Sequence, residues 1–283
     1  MKREITFKGQ LYHLVGRSIE IDTSAPNFRV YTQSLEEKRL SDYKDKIKII
    51  TTFLSLDTSV CQTQVKEFNI GATKLSKDIV VLCISKDLPF AQKRFCAAEN
   101  IEDVHVLSDY KYTSFGINYG VLIKKMNLLS RAVFIIDKSD IVRYIQQVDE
   151  NAHLPNYSDV YDHLEHVINS PVKHISSTFP GTCKPCEEGV PPLNKAEVSS
   201  LLKQMKGWDL INGKKITKDF KFKDFIEAKY FIDLIAVIAE EQNHHPRILF
   251  DYNKLNITLW THAAEGLTDN DFILAKAIDQ LVS

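Results

Sequence analysis

"KIKIITTFLSLDTSVCQTQVKEFN", Lys46 to Asn69, is the stretch on which the fold of the first half turns. The run "KIKII" is apolar enough for a buried strand, and "TQVKEFN" can start a helix. Cys61 then sits where a strand hands over to a helix N-terminus. Unpaired backbone N–H groups and the helix dipole favour a thiolate over a thiol there. The alternative is a buried cysteine acting as a small apolar residue.

Outward from that stretch, strands and helices alternate. "ITFKG" and "LYHLVG" read as a short hairpin, and "IVVLCIS" as a second buried strand. "FAQKRFCAAEN" reads as a helix with Pro89 near its start. "RAVFIID" and "IVRYIQQV" form a hairpin about "KSD", and "YSDVYDHLEHVIN" closes as a helix with Ser158 as its cap. The order predicts an α/β layer fold with a central mixed sheet over residues 1–169. A proline-rich linker follows over 170–184, and a second domain over 185–283.

The second domain has a different grammar. "NKAEVSSLLKQM" is an amphipathic helix with Asn194 as cap, and Asn212-Gly213 joins two strands as a hairpin. The helix "FIEAKYFIDLIAVIAEEQ" aligns Phe225, Ile232, Ile235 and Ala239 on one face. A strand pair turns at "NK", with Leu255, Ile257 and Leu259 alternating, and "TDND" opens the last helix as a capping box. This predicts an α+β domain with helices on one face of an antiparallel sheet.

Composition narrows the function classes. With 283 residues, 44% apolar and 26% charged, the chain reads as an ordinary globular protein of two domains. A net charge of −1 supplies no field for nucleic acid or anionic lipid. Glu227, Lys229 and Asp233 interrupt the most apolar helix, so it is not a membrane span, and "MKREITFKGQLYHLVG" lacks a signal-peptide core. The expectation is a cytoplasmic protein. Five cysteines there point to catalysis, redox chemistry or metal binding rather than a disulfide framework.

Three residues gather around Cys61. Thr58 lies three residues upstream, its hydroxyl able to point back at the sulfur, and Arg131 opens a strand where its guanidinium would favour a thiolate. Cys96, on another helix, offers a partner for sulfenic-acid chemistry, whereas Cys83 reads as a buried spacer. "SLDTSVC", "LCISKDLPFAQKRFC" and "SRAVFIID", with "ITFKGQLYHLVG", resemble the thiol peroxidase branch of the atypical two-cysteine peroxiredoxins. The resemblance implies a thioredoxin-like fold, hydroperoxide reduction, an external thiol reductant of thioredoxin type, and a homodimer or higher oligomer. It makes Cys61 the peroxidatic and Cys96 the resolving cysteine, with Thr58 and Arg131 supporting the thiolate. The family motif has proline seven residues before the peroxidatic cysteine, where this chain has Leu54 as a pocket-lining residue. Cys61 and Cys96 lie on different helices, so their disulfide requires local unwinding.

In "EEQNHHP", Glu240 stands four residues before His244, so both face one way, and Pro246 ends the helix. His245 follows directly, and His262 ends the strand "LNITLWTH". Three imidazoles with a carboxylate suit proton transfer near neutral pH. Side-by-side histidines seldom aim at one ion and H-E-x-x-H is absent, so no metal is expected. The spacing Glu240, His244, His245, Pro246, Tyr252, His262, Asp271 resembles the signature of pterin-4a-carbinolamine dehydratase. That implies loss of water from 4a-hydroxytetrahydropterin to give quinonoid dihydropterin, with no tightly bound cofactor. His244, His245 and His262 would line the site, Glu240 would orient, and Tyr252 and Asp271 would contact the pterin.

"CKPC", Cys183 to Cys186, reads as an internal reductant, a metal half-site or a proline-stiffened loop. Taken together, the residues read as a fusion of two enzymes. The other reading is an active dehydratase joined to a thiol-based peroxide sensor or dimerisation module.

Overall fold

Residues 2–169, 183 and 191–281 are described by a computed structural model, and the chain divides into two units. The first unit contains residues 2–169 and the second contains residue 183 and residues 191–281. In chain order the first unit runs β1 (Glu4–Phe7), β2 (Gln10–Val15), β3 (Arg29–Tyr31), β4 (Glu37–Arg39) and β5 (Ile47–Thr52). It continues with α1 (Ser59–Ala72), β6 (Ile79–Ser85), α2 (Pro89–Glu99), β7 (His105–Ser108) and α3 (Ser114–Asn118). It ends with β8 (Leu122–Ile123), β9 (Leu128–Leu129), β10 (Ala132–Ile136), β11 (Val142–Gln147) and α4 (Tyr157–Asn169).

Its main sheet has the order β11-β10-β5-β6-β7-β3-β4. β5, β6 and β7 are parallel and the flanking pairs antiparallel, so the sheet is mixed. Every residue of β5 is buried, as a central strand covered on both faces requires. Ile49, Val133 and Ile135 face a core built with Val65 and Phe68 of α1 and Val160 and Leu164 of α4. Phe134 points the other way and meets Tyr119 at 5.2 Å, itself stacked on Phe115 at 4.1 Å. Lys48 is fully buried inside β5 and ion-pairs with Asp140 at the β10–β11 turn, with Asp137 O accepting at 3.3 Å. The expected hairpin at the chain start forms as β1–β2, in a separate four-stranded sheet with β8 and β9.

The second unit runs α5 (Lys195–Leu202), β12 (Asp209–Ile211), β13 (Lys215–Lys221), α6 (Phe225–Gln242), β14 (Arg247–Asp251), β15 (Lys254–Leu259) and α7 (Asp269–Asp279). Its antiparallel sheet has the order β12-β13-β15-β14. Asn212 (φ 50°) and Gly213 (φ 70°) make the left-handed two-residue turn that Asn-Gly favours. Asn194 caps α5, accepting from the N–H groups of Ala196 and Glu197.

Three local expectations change. Ser158 is inside α4, and Asn156 Oδ1 accepts from the Asp159 N–H at 3.2 Å as the cap. α6 buries Ala228, Phe231, Leu234, Ile235 and Ile238, whereas Phe225 is exposed and packs on Phe250 at 4.8 Å. The Asp224 cap sets the helix phase that turns Phe225 out of the core, with Asp224 Oδ1 accepting from the Glu227 N–H at 2.9 Å. The β14–β15 turn falls at Tyr252 and Asn253 rather than at Asn253 and Lys254, since Asp251 pairs with Lys254.

Candidate active sites

Cys61 is the third residue of α1, after the N-cap Thr58, and its side chain is fully buried. Arg131, one residue before β10, is 1% exposed and places Nη2 3.4 Å from Cys61 Sγ. The Asn151 carbonyl accepts from Arg131 Nη2 at 3.0 Å and from Nε at 3.3 Å, and Gln64 Oε1 accepts from Nη1. Asn151 Oδ1 also accepts from the Arg131 backbone N–H at 2.5 Å. Gln64 is held in turn, donating through Nε2 to Thr51 Oγ1 at 2.5 Å and the Thr52 carbonyl at 3.2 Å. Among the described residues, the guanidinium's hydrogen-bond acceptors are neutral oxygens and the sulfur, and no carboxylate pairs with it. The guanidinium is thus a buried positive charge set against the Cys61 sulfur.

The Thr58 hydroxyl, expected at the sulfur, donates to the Ser55 carbonyl at 3.0 Å, which tightens the turn entering α1. Leu54 and Leu56 are each 3% exposed and belong to the same buried apolar cluster as Cys61. Asp87, between β6 and α2, accepts from Ser55 Oγ at 2.6 Å, the Leu56 N–H at 2.8 Å and Ser85 Oγ at 2.8 Å. It thereby ties the loop before Cys61 to the start of the helix that carries Cys96. Cys96 is 6% exposed, and burial pushes its thiol up to about 11 against the Gln33 amide, which donates to Sγ at 3.1 Å. Cys61, Cys83 and Cys96 are all free thiols, and Cys83 is fully buried, with burial raising its thiol strongly.

In the second unit the histidines separate. α6 stops at Gln242, before Pro246, because Asn243 takes the left-handed conformation (φ 48°) that caps the helix. That turn carries His244 inward, where it is 6% exposed and its Nε2 lies 2.8 Å from Asp271 Oδ1. His245 turns back, and it, not His244, meets Glu240, with Nε2 3.0 Å from Oε1 in the open. Asp271, expected to contact a ligand, is fully buried behind His244. Its Oδ2 accepts from Thr261 Oγ1 at 2.9 Å and from the Thr268 N–H at 2.8 Å, closing the capping box of α7. His262 is exposed beyond β15 and packs on Trp260 at 4.6 Å, and Tyr252 is 65% exposed at the hairpin turn.

The buried Asp271 carboxylate thus holds and orients the His244 ring through Nε2. Among the described residues, no group of three or more His, Cys, Asp or Glu side chains is arranged for a metal ion. The Cys183 N–H donates to Gln242 Oε1 at 2.8 Å and its thiol lies 3.7 Å from the Asn270 carbonyl. Cys186, and so the choice between the three readings of "CKPC", lies outside the described residues, as does the linker apart from Cys183.

Gln64, Asn151, Asp87 and Gln33 were not anticipated. Gln64 carried a signal, a polar residue three positions after Cys61 on the stripe that also holds Val65 and Phe68. The other three reach these partners from 20 or more residues away and left no local pattern.

Family models match both halves: Redoxin over residues 20–163, and Pterin 4 alpha carbinolamine dehydratase over residues 191–281. A thiol peroxidase of Oceanobacillus iheyensis is 45% identical over 160 residues, 56% of this chain and 97% of that protein. A peroxiredoxin-like protein from Aquifex aeolicus matches with TM-score 0.56 and 41% identity, over 59% of this chain and 98% of that one. A transcriptional coactivator/pterin dehydratase from Brucella melitensis is 34% identical over 32% of this chain and 99% of that one, with TM-score 0.32.

Proposed function

Since the chain belongs to the redoxin family through residues 20–163, and joins to it a pterin 4 alpha carbinolamine dehydratase domain over 191–281, we propose a two-site mechanism. At the first site the Cys61 thiolate attacks the terminal oxygen of a hydroperoxide. The O–O bond breaks, Cys61 becomes a sulfenic acid, and the departing alkoxide takes a proton to leave as alcohol or water. The Cys96 thiolate then attacks the sulfenic sulfur, expelling hydroxide and forming a Cys61–Cys96 disulfide. An external dithiol of thioredoxin type reduces it. The observation that carries this reading is the buried Arg131 guanidinium 3.4 Å from Cys61 Sγ with no carboxylate to neutralise it.

At the second site 4a-hydroxytetrahydropterin loses water. His244, oriented by Asp271, takes the N5 proton. His245, paired with Glu240, protonates the departing 4a hydroxyl as the C–O bond breaks. His262 and Tyr252 border the pterin, and the chain works as a homodimer or higher oligomer.

One preparation assayed for both reactions tests this. Cys61→Ser is expected to lose peroxide consumption, by at least 10³-fold, and to keep carbinolamine dehydration. His244→Ala/His245→Ala is expected to do the reverse, losing at least about 10²-fold in dehydration. Peroxide consumption equal in wild type and Cys61→Ser would reject the first site, and dehydration surviving without both histidines would reject the second.

A further inference from the structure

The resolving step needs a thiolate at Cys96, yet that sulfur is almost sealed from water. Burial pushes the thiol up to about 11 even against the pull of the one hydrogen-bond donor it has among the described residues, a value at which little thiolate exists near neutral pH. One polar group reaches the sulfur. Gln33 crosses 63 positions of sequence to place Nε2 3.1 Å from Cys96 Sγ.

The donor is held rather than loose. Gln33 lies in the turn between β3 and β4, where the Thr32 N–H donates to the Glu36 carbonyl at 2.9 Å and the Leu35 N–H to the Thr32 carbonyl at 3.0 Å. Thr32 Oγ1 accepts from the Glu36 and Ser34 N–H groups at 3.1 and 3.3 Å. Gln33, half-buried, lines an open cavity of about 360 Å³ together with Thr32, Ser34 and Lys93, so its side chain reaches from that cavity to the sulfur.

We propose that Gln33 is the hydrogen-bond donor that prepares Cys96 for attack on the Cys61 sulfenic acid. This rests on the reading of Cys96 as the resolving cysteine. An amide N–H pointed at sulfur stabilises the anion more than the thiol. The donor therefore enlarges the fraction of Cys96 present as the attacking form. In the step itself, the Cys96 thiolate supplies the electron pair of the new S–S bond. The S–O bond of Cys61 sulfenic acid breaks, and the leaving hydroxide is protonated to water. Peroxide has already supplied the oxidising equivalents. Gln33 exchanges no proton with the sulfur and touches only the attacking atom, so it acts on resolution and not on the first oxidation.

The test uses the full-length reduced chain mixed with one equivalent of hydrogen peroxide and quenched over time. Mass spectrometry of peptides measures dimedone-trapped Cys61 sulfenic acid and the Cys61–Cys96 disulfide. Gln33→Leu is expected to form the disulfide about ten-fold more slowly at pH 7, and to shift the pH profile of that step upward. Sulfenic acid then accumulates, while its rate of formation stays as in wild type, which also shows that the variant folds. Gln33→Glu, which sets a carboxylate where the donor was, is expected to be slower still. Disulfide formation at the wild-type rate, with an unshifted profile in both variants, overturns the assignment of Gln33 alone. A wild type that yields no Cys61–Cys96 disulfide instead overturns the resolving role of Cys96, and the Gln33 assignment with it.

Discussion

Asp109 shows how much one buried side chain can set. It follows β7, is 1% exposed, and accepts the N–H groups of Phe115 at 3.1 Å and Gly116 at 2.9 Å, holding the first turn of α3. Burial raises its carboxyl to about 7, against the pull of those amides and of Lys86. In the unfolded chain the same group ionises near the ordinary value of about 4. Between these values the folded chain keeps a proton that the unfolded chain has released. The associated stability is therefore complete below about pH 4 and lost as pH rises through about 7. Asp109→Asn cannot titrate, so the stability of wild type relative to this variant is expected to fall across that window, by up to about 4 kcal/mol. Urea midpoints at pH 4.5, 6 and 8 read this directly, and a constant difference would reject it. Arg131 belongs to the same scale: one buried guanidinium, held by the Asn151 carbonyl and Gln64, sets a positive charge 3.4 Å from Cys61 Sγ.

At the scale of elements, the loop between β5 and α1 is positioned as much by Asp87 as by its own sequence. Leu56 is 3% exposed, so its N–H has only the Asp87 carboxylate, at 2.8 Å, in place of water. Asp87→Ala strands that donor and frees Ser55, and is expected to cost roughly 2–4 kcal/mol. Hydrogen exchange of the Leu56 amide is expected to speed up with it, and an unchanged exchange rate would remove the tie. The strand-to-helix handover at Cys61 was legible because a β-branched run and a helix start are local patterns. So were the Asn-Gly hairpin and the Thr268 capping box. The short strands β3, β4, β8 and β9 were not, being two or three residues each and stabilised by partners elsewhere. The histidine cluster was legible as a list and misread as a geometry. Helical spacing put Glu240 beside His244, but a left-handed Asn243 reverses the partners, and no periodicity announces a single positive φ. Leu54 was legible as a departure from the expected proline, and it is buried in the same apolar core cluster as Cys61.

The described residues form two units, the first with two sheets and its own helices and the second with one sheet and its own helices. Two independent cores unfold as two cooperative events, so calorimetry of the intact chain is expected to resolve two transitions. Asp109→Asn should move only one of them, and a single transition that shifts as a whole would show the units to be thermodynamically one. No helix among the described residues is long and apolar enough to cross a membrane. The folded state also contains its own chemical reporter. Lys48 is an amine with no exposed surface, ion-paired to Asp140 on the β10–β11 turn and carried by the interior strand β5. Acylating reagents reach the many surface lysines at once, but reach Lys48 only when that turn lifts or the sheet parts. The labelling rate at this residue, followed by peptide mass, is thus a clock for the opening of the strand that leads to Cys61.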